Sequence, residues 1–386
     1  MARSLDLDVL RGFAILLVIG AHQRVGTPPS SLHWFAQGWH DWGLFGVPLF
    51  FALSGYLIGG LILDEIRSRG AFDVKRFLIR RGFKLYPAYY VFLAYLMVMP
   101  TLKAALAGND PMSVFMSMLR ALGPNFVFLQ NYIGSNPAAH TWSLAVEEHF
   151  YLFLPILIFL LLRRGLLQWL PVIALASPAV FIAYRLIGPW LGDPYVQHLA
   201  ATHVSLDGLA LGVGLRALKE YRPALFALLG RGNWLWILAG ICLVPIKNGV
   251  IPYPALAATM ILLGTVSLRP TGRLAQAGRP VARLIGWIGL HSYSTYLWHV
   301  TFLGIVQDKV LSHIEFDTTQ PVGWILYRVS VCAGVILLSW MAARLIEWPM
   351  LKLRDKYFPS RSSPRPIVAP VPVPAAEPSA VRTFAR

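Results

Sequence analysis

Residues 7–25, LDVLRGFAILLVIGAHQRV, place a cation and an imidazole toward the two ends of one apolar helix. Between Arg11 and His22 no residue carries charge. At 100° per residue the steps from Arg11 to His22 return to within about 20° of the starting direction, and they separate the two by about 16 Å along the axis. The two side chains therefore share a face near opposite ends. The run lacks a small-residue cleavage site and holds Arg11 inside it, so it reads as a retained first helix and not a removable leader. Ionisable groups inside hydrocarbon are costly, which makes the pair a candidate site. The plainer alternative has Arg11 snorkelling to the inner interface and His22 sitting at a helix end.

The rest of the chain has the same character. Of 386 residues 56% are apolar and 13% charged, with a mean hydropathy of +0.57, whereas a soluble domain carries about a quarter charged residues. A water-soluble globular enzyme is excluded. Thirteen Trp, fifteen Tyr and twenty-one Phe suit a chain with many membrane interfaces. Apolar runs, read against Pro, Gly and charge breaks, predict an all-α polytopic membrane helical bundle with about ten transmembrane helices. They fall at roughly 7–25, 43–63, 84–102, 143–162, 166–187, 201–217, 233–247, 251–268, 283–306 and 322–348. The stretch 112–133, broken by Gly123, Pro124 and Asn125, reads as interfacial or re-entrant.

A net charge of +16 and a pI near 10.1 would suit nucleic acid only with a basic face on a soluble fold, so no nucleic-acid partner is expected. Lys and Arg gather instead in alternate short loops, which the positive-inside rule explains. With the N-terminus in the cytoplasm, the inside segments hold Arg67, Arg69, Lys75, Arg76, Arg80, Arg81 and Lys84, and later basic clusters up to Lys352. The outside loops hold Arg24, Lys103, Arg120, Lys247 and Lys309. Both termini are then cytoplasmic. Cys242 and Cys332 lie in apolar runs, so neither a disulfide framework nor a metal site is expected. Residues 1–355 form the membrane domain; 356–386, rich in Pro and Ala, read as a disordered cytoplasmic tail.

In the fourth span, HTWSLAVEEHFYLFLP (140–155) places Glu147 and Glu148 one to two turns from the outer boundary, the depth of His22. A carboxylate beside an imidazole raises its basicity and fixes its tautomer, the pairing that deprotonates a hydroxyl. The simpler account has the glutamates complementing a helix N-terminus. At the entry to the third span, KRFLIRRGFKLYPAYY (75–90) packs Lys75, Arg76, Arg80, Arg81 and Lys84 together, a cluster that suits a phosphate-rich ligand as well as a positive-inside loop. Weaker constellations are His203 with Asp207, four apart, His299 as a packing histidine, and Arg344 with Glu347 as an ion pair. The glycines of GVPLFFALSGYLIGG (46–60) read as close helix packing.

These blocks, in order LDVLRGFAILLVIGAH, FFALSGYLIG, FLIRRGFKLYPAYY, TWSLAVEEHFYLFLP, HVSLDGLALG, SYSTYLWH and IEWPMLKLR, resemble the acyltransferase 3 family of integral membrane O-acyltransferases over roughly residues 4–355. The resemblance implies transfer of an acyl group, usually acetyl from acetyl-CoA or another acyl-CoA, to a hydroxyl of a carbohydrate or glycolipid acceptor, without a metal. It implies a multi-pass protein of the bacterial inner membrane. His22 takes the place of the family's catalytic histidine, Arg11 that of its signature partner, and Glu147 the acidic position of the WSLxxE block, with Glu148 beside it. Arg11, Arg80, Arg81 and Lys84 would bind the donor, Lys84 standing where the family has a second Arg and so lacking the bidentate fork.

The rival reading is a secondary transporter that uses the intramembrane His, Glu and Arg as a relay. It predicts an inverted repeat, and none is visible in the sequence. A receptor or scaffold would not need Arg11 and His22 on one face.

Overall fold

A charged helix start explains where the architecture first departs from the span list. The computed structural model describes residues 4–24, 28–43, 45–133, 137–195, 200–231, 238, 253–267 and 278–359. In it the third predicted span begins ten residues early, as α4 (Val74–Leu106). Asp73 accepts the Arg76 N–H at 3.0 Å and caps the helix, so the basic cluster is helical and not loop. Before it come α1 (Leu5–His22), the amphipathic α2 (His33–Gly43) and α3 (Gly46–Arg69). After it come α5 (Pro111–Phe126), α6 (Trp142–Arg163), α7 (Leu170–Ile187), α8 (Thr202–Ser205), α9 (Asp207–Tyr221) and α10 (Pro223–Leu229). The remaining helices are α11 (Tyr253–Ser267), α12 (Arg279–Leu290), α13 (Ser292–Ile305), α14 (Pro321–Ala342) and α15 (Trp348–Tyr357). No strand occurs among the described residues.

Among the described residues five helical stretches are long and apolar enough to cross a bilayer: Ser30–Arg69, Val74–Leu106, Ala139–Arg163, Leu167–Ile187 and Pro321–Tyr357. The other predicted spans are shorter or more charged. α1 carries Asp6, Asp8 and Arg11, the span at 201–217 is divided between α8 and α9, and the one at 283–306 breaks at His291 into α12 and α13. The span at 233–247 and the tail beyond 359 lie outside the described residues. The interrupted stretch at 112–133 forms α5, started by Asp110, which accepts the Met112 and Ser113 N–H groups. Tyr89 and Tyr90 bind its end, at Asn125 O and Phe126 O, both 3.1 Å.

Exposed apolar side chains line α6 (Leu152, Phe153, Ile156, Leu160), α7 (Val172, Ile173, Val180) and α14 (Val322, Ile325, Leu326, Val329). Such stripes suit lipid, and association then relies on close packing and polar contacts. Close backbone packing joins α3 to α9. A Cβ built on Gly212 would overlap Ala52 O, and one on Gly55 would overlap Leu209 O. Gly55 and Gly59 of the second span thus face α9, while Gly46 faces Ala14 and Val18 of α1.

Buried ion pairs supplement this packing. Arg216 of α9 binds Asp64 of α3 at 2.6 Å, with both side chains 6% exposed. Arg185 of α7 pairs with Asp207 of α9 and also donates to Val204 O. His203 consequently does not pair with Asp207. Its Nε2–H donates to Asp193 at 2.8 Å, and Tyr132 OH donates to its Nδ1 at 3.0 Å. The Tyr195 N–H, followed by His203, holds the Asp193 carboxyl below its ordinary range. Arg344 and Glu347 do not pair either. The Arg344 guanidinium lies 3.8 Å from the Trp348 ring centroid, and Glu347 accepts from Ser294 Oγ at 2.8 Å.

Two outcomes test this account of the packing. Gly212→Leu should destabilise the protein by about 1–3 kcal/mol through overpacking, while Gly59→Ala, whose Cβ would meet Val213 at an ordinary 3.5 Å, should melt like wild type in detergent. Arg185→Met should cost about 3–5 kcal/mol by leaving Asp207 buried without its partner, and adding Asp207→Leu should restore most of the loss. Thermal unfolding of the single and double variants measures both.

Candidate active site

The first three turns of α4 build one cationic wall. Arg76, Arg80 and Lys84 recur every four residues and Arg81 lies three before Lys84, so all four project to one side of the helix. They line a cavity of about 560 Å³ that is also bounded by Arg11 of α1 and Arg354 of α15. The cavity is also lined by Ser54 of α3, Ser143, Glu147 and Tyr151 of α6, and Tyr293 and Tyr296 of α13.

The cations are not equivalent. Arg11 binds Asp8 at 3.0 Å. Arg80 pairs with Asp355 at 3.3 Å and donates to Phe358 O, and Arg76 donates to Pro359 O at 2.7 Å. The end of α15 therefore folds across the mouth of the basic cluster. Among the described residues no ion pair within 4.0 Å engages Arg81 or Lys84. Arg81 lies over the rings of Phe77 and Tyr151, at 5.6 Å from each centroid. These two cations are the ones left for an anionic ligand.

On α6, Ser143, Glu147 and Tyr151 also repeat every four residues and face the cavity together. Tyr151 OH donates to Glu147 at 3.1 Å and receives the Ser54 hydroxyl at 2.7 Å. Glu148, one residue on, points elsewhere and accepts from Tyr86 OH at 3.0 Å. The sequence suggested a glutamate beside His22. The structure instead commits Glu147 to Tyr151 and the cationic cavity.

His22 ends α1 and is not part of the cavity wall. Its Nδ1 lies 2.8 Å from Val18 O, and because a carbonyl only accepts, Nδ1 carries the proton and Nε2 keeps the lone pair. The ring beside it is that of His299, 4.9 Å away centroid to centroid, and His140 follows 5.0 Å beyond His299. Tyr296 stands between this group and the cavity. Its hydroxyl takes a 2.6 Å hydrogen bond from Ser143 and donates to His140 O at 2.8 Å, and its ring lies 5.6 Å from that of His299.

The cavity thus brings together Arg11, Arg80, Arg81, Lys84 and Glu147, while His22 and Glu148 lie outside its wall. Arg354 and the Ser143–Tyr296 pair escaped the sequence reading as site residues. Arg354 belongs to a helix whose return to α4 no local pattern announces, and SYSTYLWH showed Tyr296 as one aromatic among several.

Residues 4–344 match the family model described as an acyltransferase domain, and the chain belongs to that family. It is 25% identical over 375 residues to the peptidoglycan O-acetyltransferase OatA of Listeria monocytogenes, covering 90% of this chain and 56% of the relative. It is 28% identical over 377 residues to the O-acetyltransferase OatA of Staphylococcus aureus, covering 91% and 58%. The chain therefore spans a little over half the length of the curated relatives it matches. No solved structure matches it.

If Arg80 fastens the end of α15, then Arg80→Ala should speed amide exchange in residues 355–358 while leaving the melting temperature nearly unchanged, since partly exposed pairs contribute about 0–1 kcal/mol. Hydrogen exchange read by mass spectrometry checks both halves of that outcome.

Proposed function

We propose that this protein is a membrane O-acyltransferase that moves an acyl group, acetyl in the simplest case, from an acyl-CoA to a hydroxyl of a carbohydrate or glycolipid acceptor. The observation that carries the proposal is the cavity itself, which gathers six cations from three helices with serine and tyrosine hydroxyls and the carboxylates of Asp8, Glu65 and Glu147. Its size is that of a small-molecule site. Unpaired Arg81 and Lys84 suit a donor with several phosphates, and Arg11 and Arg354 extend the same wall. Family membership supports acyl transfer, and the name of the Listeria relative, a peptidoglycan O-acetyltransferase, supports a carbohydrate acceptor.

In this reading the chain crosses a bacterial inner membrane about ten times with both termini inside, which the Lys and Arg bias supports. The phosphates then enter from the cytoplasmic side. The axial distance of about 16 Å from Arg11 to His22 is spanned by the extended arm of the donor. The acyl end passes the Ser143–Tyr296 hydroxyls to reach His22. Nε2 of His22 takes the proton of the acceptor hydroxyl as its oxygen attacks the acyl carbon. The carbon–sulfur bond breaks, and the proton goes on to the departing thiolate. Glu147 balances the cavity cations while Tyr151 fixes its orientation.

The test is turnover in sealed vesicles given labelled acetyl-CoA on the cytoplasmic side and peptidoglycan fragments on the other. Wild type should label the fragments, and His22→Ala should lose about 100-fold or more of the rate. Labelling unaffected by His22→Ala, or fragments transported without becoming acetylated, would overturn the proposal.

A further inference from the structure

His299 is fully buried on α13, between two other histidines. Its Nδ1 lies 2.6 Å from Tyr296 O, so Nδ1 carries the proton and the ring is fixed in one tautomer. The lone pair on Nε2 has no hydrogen-bond partner among the described residues. A buried nitrogen left unpaired is destabilising and calls for an explanation. Packing does not provide one, because phenylalanine would fill the same space without a polar atom.

The neighbours supply the explanation. The ring of His22 meets that of His299 at 4.9 Å and an interplanar angle of 78°. The Nδ1–H bond of His22 to Val18 O fixes its tautomer as well. His140, on the far side at 5.0 Å and 81°, has its Nε2 within 3.1 Å of Leu297 O, so it presents its N–H to the backbone and not to His299. The His299 ring, with its acceptor at Nε2 unsatisfied, is thus held edge-on between the rings of His22 and His140.

We propose that His299 is the positioning residue for His22, setting the plane of that imidazole and lending a neutral lone pair to the imidazolium formed on proton uptake. This rests on the reading of His22 as the general base. The proton leaves the acceptor hydroxyl for His22 Nε2 as the oxygen–acyl bond forms and the carbon–sulfur bond breaks. It then passes to the thiolate. His299 neither gains nor loses a proton in the cycle, and it touches no reacting atom.

Two substitutions separate the two halves of the role. His299→Gln keeps an acceptor near the Nε2 position and gives up the orienting bond, whereas His299→Asn keeps a donor near Nδ1 and has no acceptor at Nε2. In the vesicle assay, His299→Asn should lower kcat about ten-fold or more with the KM for both substrates unchanged. His299→Gln should recover kcat to within a few-fold of wild type. Recovery of each variant in the monodisperse detergent peak is the folding control, and His299→Phe replaces the Asn variant if that one is lost. Equal impairment of the acceptor-bearing and acceptor-free variants, or a rise in KM without a fall in kcat, would overturn the proposal. So would wild-type kcat in the acceptor-free variant while His22→Ala is inactive. Full activity of His22→Ala would instead sink the underlying assignment of the base.

Discussion

A cation taken out of water must be given an anion, a carbonyl, an aromatic face or a space that a ligand can fill. The bundle meets that requirement differently for each buried arginine. Arg216 is paired with Asp64, and Arg185 with Asp207. Arg328, 5% exposed, lies between the rings of Trp39 and Trp324, at 4.8 and 4.9 Å, and donates to Gly20 O at 3.3 Å. These arginines fasten helices to one another, α9 to α3, α7 to α9 and α14 to the end of α1. Arg81 and Lys84 are left facing an open cavity, which is what distinguishes a binding wall from a structural tie.

The same economy explains the position of Glu147. A lone carboxylate beside His22 would have been desolvated twice, once by the apolar wall of α1 and once by the imidazole. In the cavity it receives the Tyr151 hydroxyl and the field of Lys84 and Arg81. Its neighbour Glu148 is turned about 100° around α6, and so meets Tyr86 on the other side of the helix. Two adjacent carboxylates thereby acquire unrelated surroundings from a single residue step.

Whatever follows from the period of one helix was legible in the sequence. The membrane character and the close packing at the α3 glycines needed only local composition and spacing. Interactions between helices were not legible. Equal depth suggested that Glu147 and His22 meet, but depth says nothing about the direction in which α6 is turned. Likewise the four-residue spacing of His203 and Asp207 was outweighed by Arg185 from α7, which offers Asp207 a full charge. Arg354 reaches the cavity only because α15 returns to α4, and His299 looked like packing because its neighbours come from α1 and from the start of α6.

The site that results has two compartments with opposite electrostatic tasks. On the proposed function the cavity receives negative charge, whereas the histidine group tolerates a transient positive one. No described hydrogen bond or ion pair joins His22 to a carboxylate, so the imidazolium relies on other sources of stabilisation. One is the end of α1: acidic Asp6 and Asp8 occupy its first turn and His22 its last, the arrangement that the helix dipole favours by about 0.3–1 kcal/mol at each end. That is a modest contribution, well below a buried carboxylate partner. On that reading the carboxylate and the base serve different compartments, Glu147 facing the cavity cations and His22 the acceptor.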